Sequence, residues 1–169
     1  MIRQARAFGV TMITLTLLGT VAGPLWAWAA PRPPYVVTRS GPVLADPGTQ
    51  TLIAADGWFA AITGLAGLVC GLVAYRLSER PVAVLLGLTA GGLLAAFVAY
   101  WLGQWVDQAT VRRATALGAQ IPGPLDLRAT GVLLSWSLLS VITFGALESL
   151  AAYRASRRRK PYGIEDETP

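Results

Sequence analysis

The side chains able to do chemistry are few. The chain has no histidine and a single cysteine, Cys70. Without imidazole, the commonest hydrolytic bases, nucleophile partners and zinc ligands are missing. A lone thiol in an apolar stretch has no intramolecular disulfide partner and behaves as a small hydrophobe. Carboxylates remain. Glu148 is the one ionisable group inside a long apolar segment, where a charge is costly unless it is paired or put to use. Two readings follow: structural pairing with Arg76 or Arg80, or a proton or substrate role in which the serines around it line a polar path. Asp56 stands just before another apolar segment and reads as a helix N-cap, since a carboxylate there accepts orphan N–H groups and meets the positive end of the helix dipole. Contact with a ligand or partner is its other reading. Asp46, Asp107 and Asp126 show no spacing that would set up a paired-carboxylate site. The residues point to no catalytic, metal or cofactor-binding constellation, and the chain reads as non-enzymatic.

The elements that must position these residues are membrane spans. The chain has 169 residues, 54% of them hydrophobic and 14% charged. A helix crossing roughly 30 Å of hydrocarbon needs about 20 apolar residues, with every backbone polar group paired inside the segment. Four stretches qualify, at about 8–30, 58–76, 82–103 and 129–153. The expected fold is therefore all-α, an integral membrane bundle of four transmembrane helices. The second and third spans read as a hairpin around the connector from Arg76 to Pro81. Trp26, Trp28, Trp58, Tyr75, Tyr100, Trp101 and Trp105 sit near span ends, as amphipathic rings at the headgroup level do. The first span has a second reading, because Arg3 and Arg6, a run of about 15 apolar residues and Ala27-Trp28-Ala29 resemble a signal peptide. Its length and its tryptophans favour an uncleaved helix.

Small residues indicate how the spans meet. Gly64, Gly67 and Gly71 mark one helix; Ala83, Gly87, Gly91, Ala95, Ala99 and Gly103 recur every four residues along the next. In lipid, helix association depends on close backbone approach, which such residues allow. They read as packing surface, with a hinge at Gly91-Gly92 as the alternative. The last span differs in carrying Ser135, Ser137, Ser140, Thr143 and Ser149, whose hydroxyls can bond their own helix or a neighbour.

Two loops join the spans. Residues 31–57 are rich in proline, and Tyr35 to Thr38 with Pro42 to Leu44 form a marginal hairpin candidate. Residues 104–128 hold a weak interfacial-helix pattern from Val106 to Leu117 and the surface pair Arg112-Arg113. After Tyr153 come Arg154, Arg157, Arg158, Arg159 and Lys160, then Glu165-Asp166-Glu167, a tail (154–169) with the composition of a disordered segment. A basic cluster beside a span reads as an orientation signal and a contact for anionic headgroups rather than for nucleic acid. Nine arginines and lysines lie on the side of the termini and connector against five on the other. That bias puts both termini in the cytoplasm and both loops outside.

Several short motifs together resemble a known family: Gly23-Pro24-Leu25-Trp26 followed by Ala30-Pro31; Ala55-Asp56-Gly57-Trp58-Phe59; the Gly67/Gly71 and Gly87/Gly91 helices; and Leu127-Arg128-Ala129. The chain is similar over about residues 20–150 to a family of small four-span membrane proteins of unknown function from high-GC Gram-positive actinobacteria. The resemblance implies the same topology and a bacterial plasma-membrane location, and it carries over no catalytic residue. The expected function is association, as an accessory or assembly subunit or a homo-oligomer, with the lipid bilayer as the first partner. The alternative is a small oligomeric transporter or channel using Glu148 and the serine-rich last helix.

Overall fold

A computed structural model of the chain describes residues 2–39, 41–46, 50–111 and 120–158. The first helix, α1, covers Ile2–Ala29. Strands β1 (Pro34–Thr38) and β2 (Gly41–Leu44) follow, then α2 (Thr51–Leu77) and α3 (Pro81–Val111). A third strand, β3 (Gln120–Pro122), and a 3₁₀ turn (Thr130–Leu134) lead into α4 (Ser135–Arg158). All four α-helices are long and apolar enough to cross a membrane. The helices overrun the hydrophobic limits read from sequence. α2 begins seven residues before Trp58, and α3 continues past Gly103 to Val111. That continuation absorbs the start of the expected interfacial helix; Arg112-Arg113 and the rest of it lie outside the described residues, as does the tail from Arg159 and Lys160 onward.

Which helices pair is set by glycine. A Cβ built on Gly19 would lie 2.5 Å from the Ala95 carbonyl oxygen, and one on Gly23 2.5 Å from that of Ala99. Gly87 faces Phe8 and Thr11, Gly91 faces Met12 and Leu15, and Gly103 lies under the Trp26 ring. Contacts that advance together along both helices make α1 and α3 a parallel pair in near-backbone contact. On the other side of the bundle Gly67 meets the Trp136 carbonyl, Gly71 that of Ser140, and Gly64 the Leu139 side chain, so α2 runs parallel to α4. Gly92, against Ser137, joins the two pairs. The glycines are packing residues, as expected, but the expected hairpin partner is wrong. The stripes of α2 and α3 face away from each other, toward helices two places along the chain. A short connector fixes which ends are neighbours; it does not fix which faces touch.

The inside of the bundle is small or aromatic and the outside is greasy. Ala95, Ala96, Ala99, Trp26, Phe59 and Trp136 are fully buried, while Leu17, Leu65, Leu86, Leu138 and Ile142 face outward. A helix apolar all round belongs in lipid. Trp26, expected at the headgroup level, turns inward instead. Its ring meets Phe59 edge-on at 5.1 Å, and its Nε1–H donates to the Ala55 carbonyl at 3.0 Å. Trp28 keeps the exposed position. Three serines of α4 are spent on the bundle: Ser140 Oγ–H donates to the Ser137 carbonyl at 2.9 Å, Ser137 Oγ–H crosses to the Thr89 carbonyl of α3 at 3.1 Å, and the Ser135 and Thr63 hydroxyls share a bond of 2.6 Å.

At one end of the bundle the loops form a small sheet of order β2-β1-β3, antiparallel throughout. β1 and β2 are the hairpin anticipated from sequence, in register from Tyr35 opposite Leu44 to Thr38 opposite Gly41. An isolated pair is marginal in water; the third strand, with Tyr35 opposite Ile121, makes it a sheet. Gly123 closes that strand. Its N–H donates to the Pro33 carbonyl at 2.7 Å, and a Cβ there would run into the Tyr35 ring.

Gly23→Leu and Gly67→Leu should each destabilise the purified protein by at least about 2 kcal/mol through overpacking against backbone. Gly145→Leu, with nothing within 4 Å of its Cβ direction, should leave it near wild type. Reversible denaturation in mixed detergent micelles measures the difference.

Candidate functional site

The described side-chain bonds that join different elements concentrate at the sheet-bearing end, where two buried carboxylates face the segment 125–129. Asp107, near the end of α3, is 2% exposed. Its Oδ1 accepts from Arg32 Nε at 2.8 Å and its Oδ2 from the Leu125 N–H at 2.7 Å. Arg32 also donates through Nη2 to the Ala27 carbonyl at the end of α1, at 2.9 Å. One ion pair thus joins the exit of α1, the end of α3 and the approach to α4. Charge-assisted bonds of this length are the strong ones, and they offset the cost of removing both charges from water.

Asp56 does the equivalent from α2. It does not cap its own helix, which begins five residues earlier at Thr51 with Gln50 in the N-cap position. Lying in the second turn, its carboxylate accepts instead from the Arg128 N–H at 3.1 Å and the Ala129 N–H at 2.9 Å. These backbone groups open the 3₁₀ turn (Thr130–Leu134), so Asp56 caps the entry to α4 from across the bundle. The sequence identified the residue and its capping chemistry, but not the recipient. Asp126 is exposed and completes a third set, accepting from Tyr100 Oη at 3.1 Å, while Gln104 Nε2 donates to Tyr100 Oη at 2.8 Å. A cavity of about 90 Å³ between Tyr35, Ala55, Pro124 and Arg128 lies beside this cluster. Sequence reasoning missed Arg32 and Asp107. Their only signal was that each sits at the immediate end of a span, 75 positions apart.

Glu148 is not drawn into any of this. It lies half-buried on α4, and among the described residues it has no hydrogen bond or ion pair. The expected pairing with Arg76 or Arg80 does not form. Tyr75 and Phe144 pack edge to face in the α2–α4 seam at 6.4 Å, Arg76 is exposed, and Arg80 lines a cleft bounded by α1, α2 and α3. Arg154 and Arg157 are exposed at the end of α4, with Arg157 stacked over the Tyr153 ring at 5.1 Å.

The cleft at Arg80 has a volume of about 850 Å³ and lies at the end opposite the sheet. It opens because α1 leans on α3 and α2 on α4, leaving α1 and α2 apart. Cys70 lines it, next to the buried indole of Trp136. Among the described residues no three His, Cys, Asp or Glu side chains gather as a metal site. No protein-family model, curated protein or solved structure matches the chain.

Asp107→Asn should lower stability by about 3 kcal/mol, the lower end for breaking a buried pair, because Arg32 keeps 26% exposure. In a double-mutant cycle Arg32→Gln should add little once Asp107 is gone. Asp56→Ala, which orphans two backbone N–H groups, should cost about 2 kcal/mol. Chemical denaturation in micelles reads all three.

Proposed function

We propose that this multi-pass membrane protein is a non-enzymatic accessory or assembly subunit of a bacterial plasma membrane, with both termini in the cytoplasm and the sheet outside. One observation carries the reading: the sheet is anchored beside the bundle end with pairing capacity left over. Buried carboxylates hold its flanking segments on the bundle, and within the described residues β2 and β3 each pair on one side only. An exposed strand edge is a template for another chain, with main-chain bonds giving affinity and alternate side chains giving selectivity.

Three further features bear on the reading. The buried carboxylates Asp56 and Asp107 are already engaged on both oxygens. The glycine stripes that would drive self-association are used within the chain, which favours a different membrane protein as partner over a homo-oligomer. The Ser137 and Ser140 hydroxyls of α4, which a transport path would use, are bonded inside the bundle. The bias of arginine and lysine toward the side of the termini supports the orientation, and the resemblance of the short motifs supports the location.

A photo-crosslinking residue placed at Val43, on β2, should trap a membrane-protein partner in native membranes, while the same residue at lipid-facing Leu138 should not. A chain that remains monomeric and uncrosslinked at both positions would overturn the proposal. Orientation is checked separately in a Cys70→Ala background. Val43→Cys should react with a membrane-impermeant maleimide in intact cells, and Ser156→Cys should react only after lysis.

A further inference from the structure

From the cleft between α1 and α2 we infer a binding site for one anionic phospholipid, taken from the leaflet at the end opposite the sheet. The inference does not depend on the proposed partner. Three observations carry it: the depth of the cleft, its lateral opening and the charge at its mouth.

The lining on α1 runs from Arg3 to Leu18. Fifteen steps of 1.5 Å make that about 22 Å, or about half of a bilayer measured with its headgroup regions. The cleft therefore has the reach of one lipid, from phosphate level to midplane. Its volume of about 850 Å³ lies in the range of ligand pockets and takes the headgroup and part of one acyl chain, the rest of the lipid staying in the bilayer. It opens sideways into the surrounding lipid, because Val10 and Val73 on its two walls are 57% and 48% exposed. Leu15 and Leu88 close it from behind, both buried.

Charge is confined to the mouth. Arg3 and Arg6 from the first turns of α1 and Arg80 from the α2–α3 connector line that end together. Among the described residues none of the three has a carboxylate partner. Glu79 is the one acidic side chain in the lining, which leaves an excess of two positive charges. Guanidinium groups bind phosphate through paired donors, whereas the interior, apart from Thr11, Thr14 and Cys70, offers apolar contact. A phosphate with acyl chains satisfies both parts, with its headgroup on Arg3, Arg6 and Arg80 and a chain along Leu15 and Val73.

The test uses the full chain in detergent, titrated with dioleoylphosphatidylglycerol or dioleoylphosphatidylcholine and read by native mass spectrometry. The wild type should retain the anionic lipid in preference to the zwitterionic one. Replacing Arg3, Arg6 and Arg80 together by glutamine should weaken phosphatidylglycerol binding about 100-fold, each charge near a membrane surface contributing about fivefold. Val73→Trp should obstruct the cleft and weaken both lipids. Circular dichroism and melting temperature should remain those of the wild type in both variants. Arg154→Gln with Arg157→Gln, which removes the neighbouring basic group on α4, should leave the preference intact. Equal retention of the two lipids, an unaffected triple variant, or an equal loss in the α4 variant would overturn the inference. So would displacement by glycerol 3-phosphate at comparable concentration, which would mark a site for soluble phosphate, or a dimer abolished by Val73→Trp, which would mean that a second copy fills the cleft.

Discussion

The structure depends on how closely two helix backbones can approach in a solvent that gives no reward for hiding apolar side chains. Lipid is as apolar as leucine, so the helices are held by contact and hydrogen bonding rather than by exclusion from water. Gly19 and Gly23 bring α1 onto α3, and Gly67 and Gly71 bring α2 onto α4, each at a distance that leaves no room for a methyl group. The remaining features follow from that choice of pairs. The parallel pairs meet through Gly92 and Ser137 on the α3–α4 side. On the α1–α2 side they diverge and leave the cleft.

The two ends of the bundle solve different problems. At the sheet-bearing end the chain must cross between helices that are not sequence neighbours in packing, and its loop N–H groups need partners where water is scarce. Asp56 and Asp107 supply them, each from a helix other than the one whose approach it fixes. Arg32 neutralises Asp107 and reaches back to α1. Trp26 fills the space beneath, its indole N–H on α2 and its ring against Phe59. At the other end the only connection between helices is the short turn at residues 78–80. Among the described residues nothing comparable ties α1 to α2 there, and the arginines at the mouth stand without carboxylate partners.

Polar residues in the spans divide in the same way. Ser135, Ser137, Ser140 and Thr63 are inexpensive in lipid because each hydroxyl has a backbone carbonyl within reach. Carboxylates are not inexpensive, and among the described residues the two that are buried, Asp56 and Asp107, lie near a helix end among donors. Glu148 remains only half-buried on α4, nearer the end that carries the basic cluster.

By itself the sequence determined the composition of the spans, their number, the use of glycine as packing surface and the β1–β2 hairpin. These are local properties: length against bilayer thickness, residue size at fixed spacing, and turn chemistry between short strands. It also marked Asp56 as an acceptor for orphan N–H groups. Only the tertiary structure decided which glycine faces which helix, since a stripe at four-residue spacing has no preference between neighbours that are equally able to accept it. The same holds for the inward turn of Trp26, the use of Asp56 on the entry to α4, and the meeting of Arg32 with Asp107. Each joins residues from different helices, and no period along one helix can encode a partner on another.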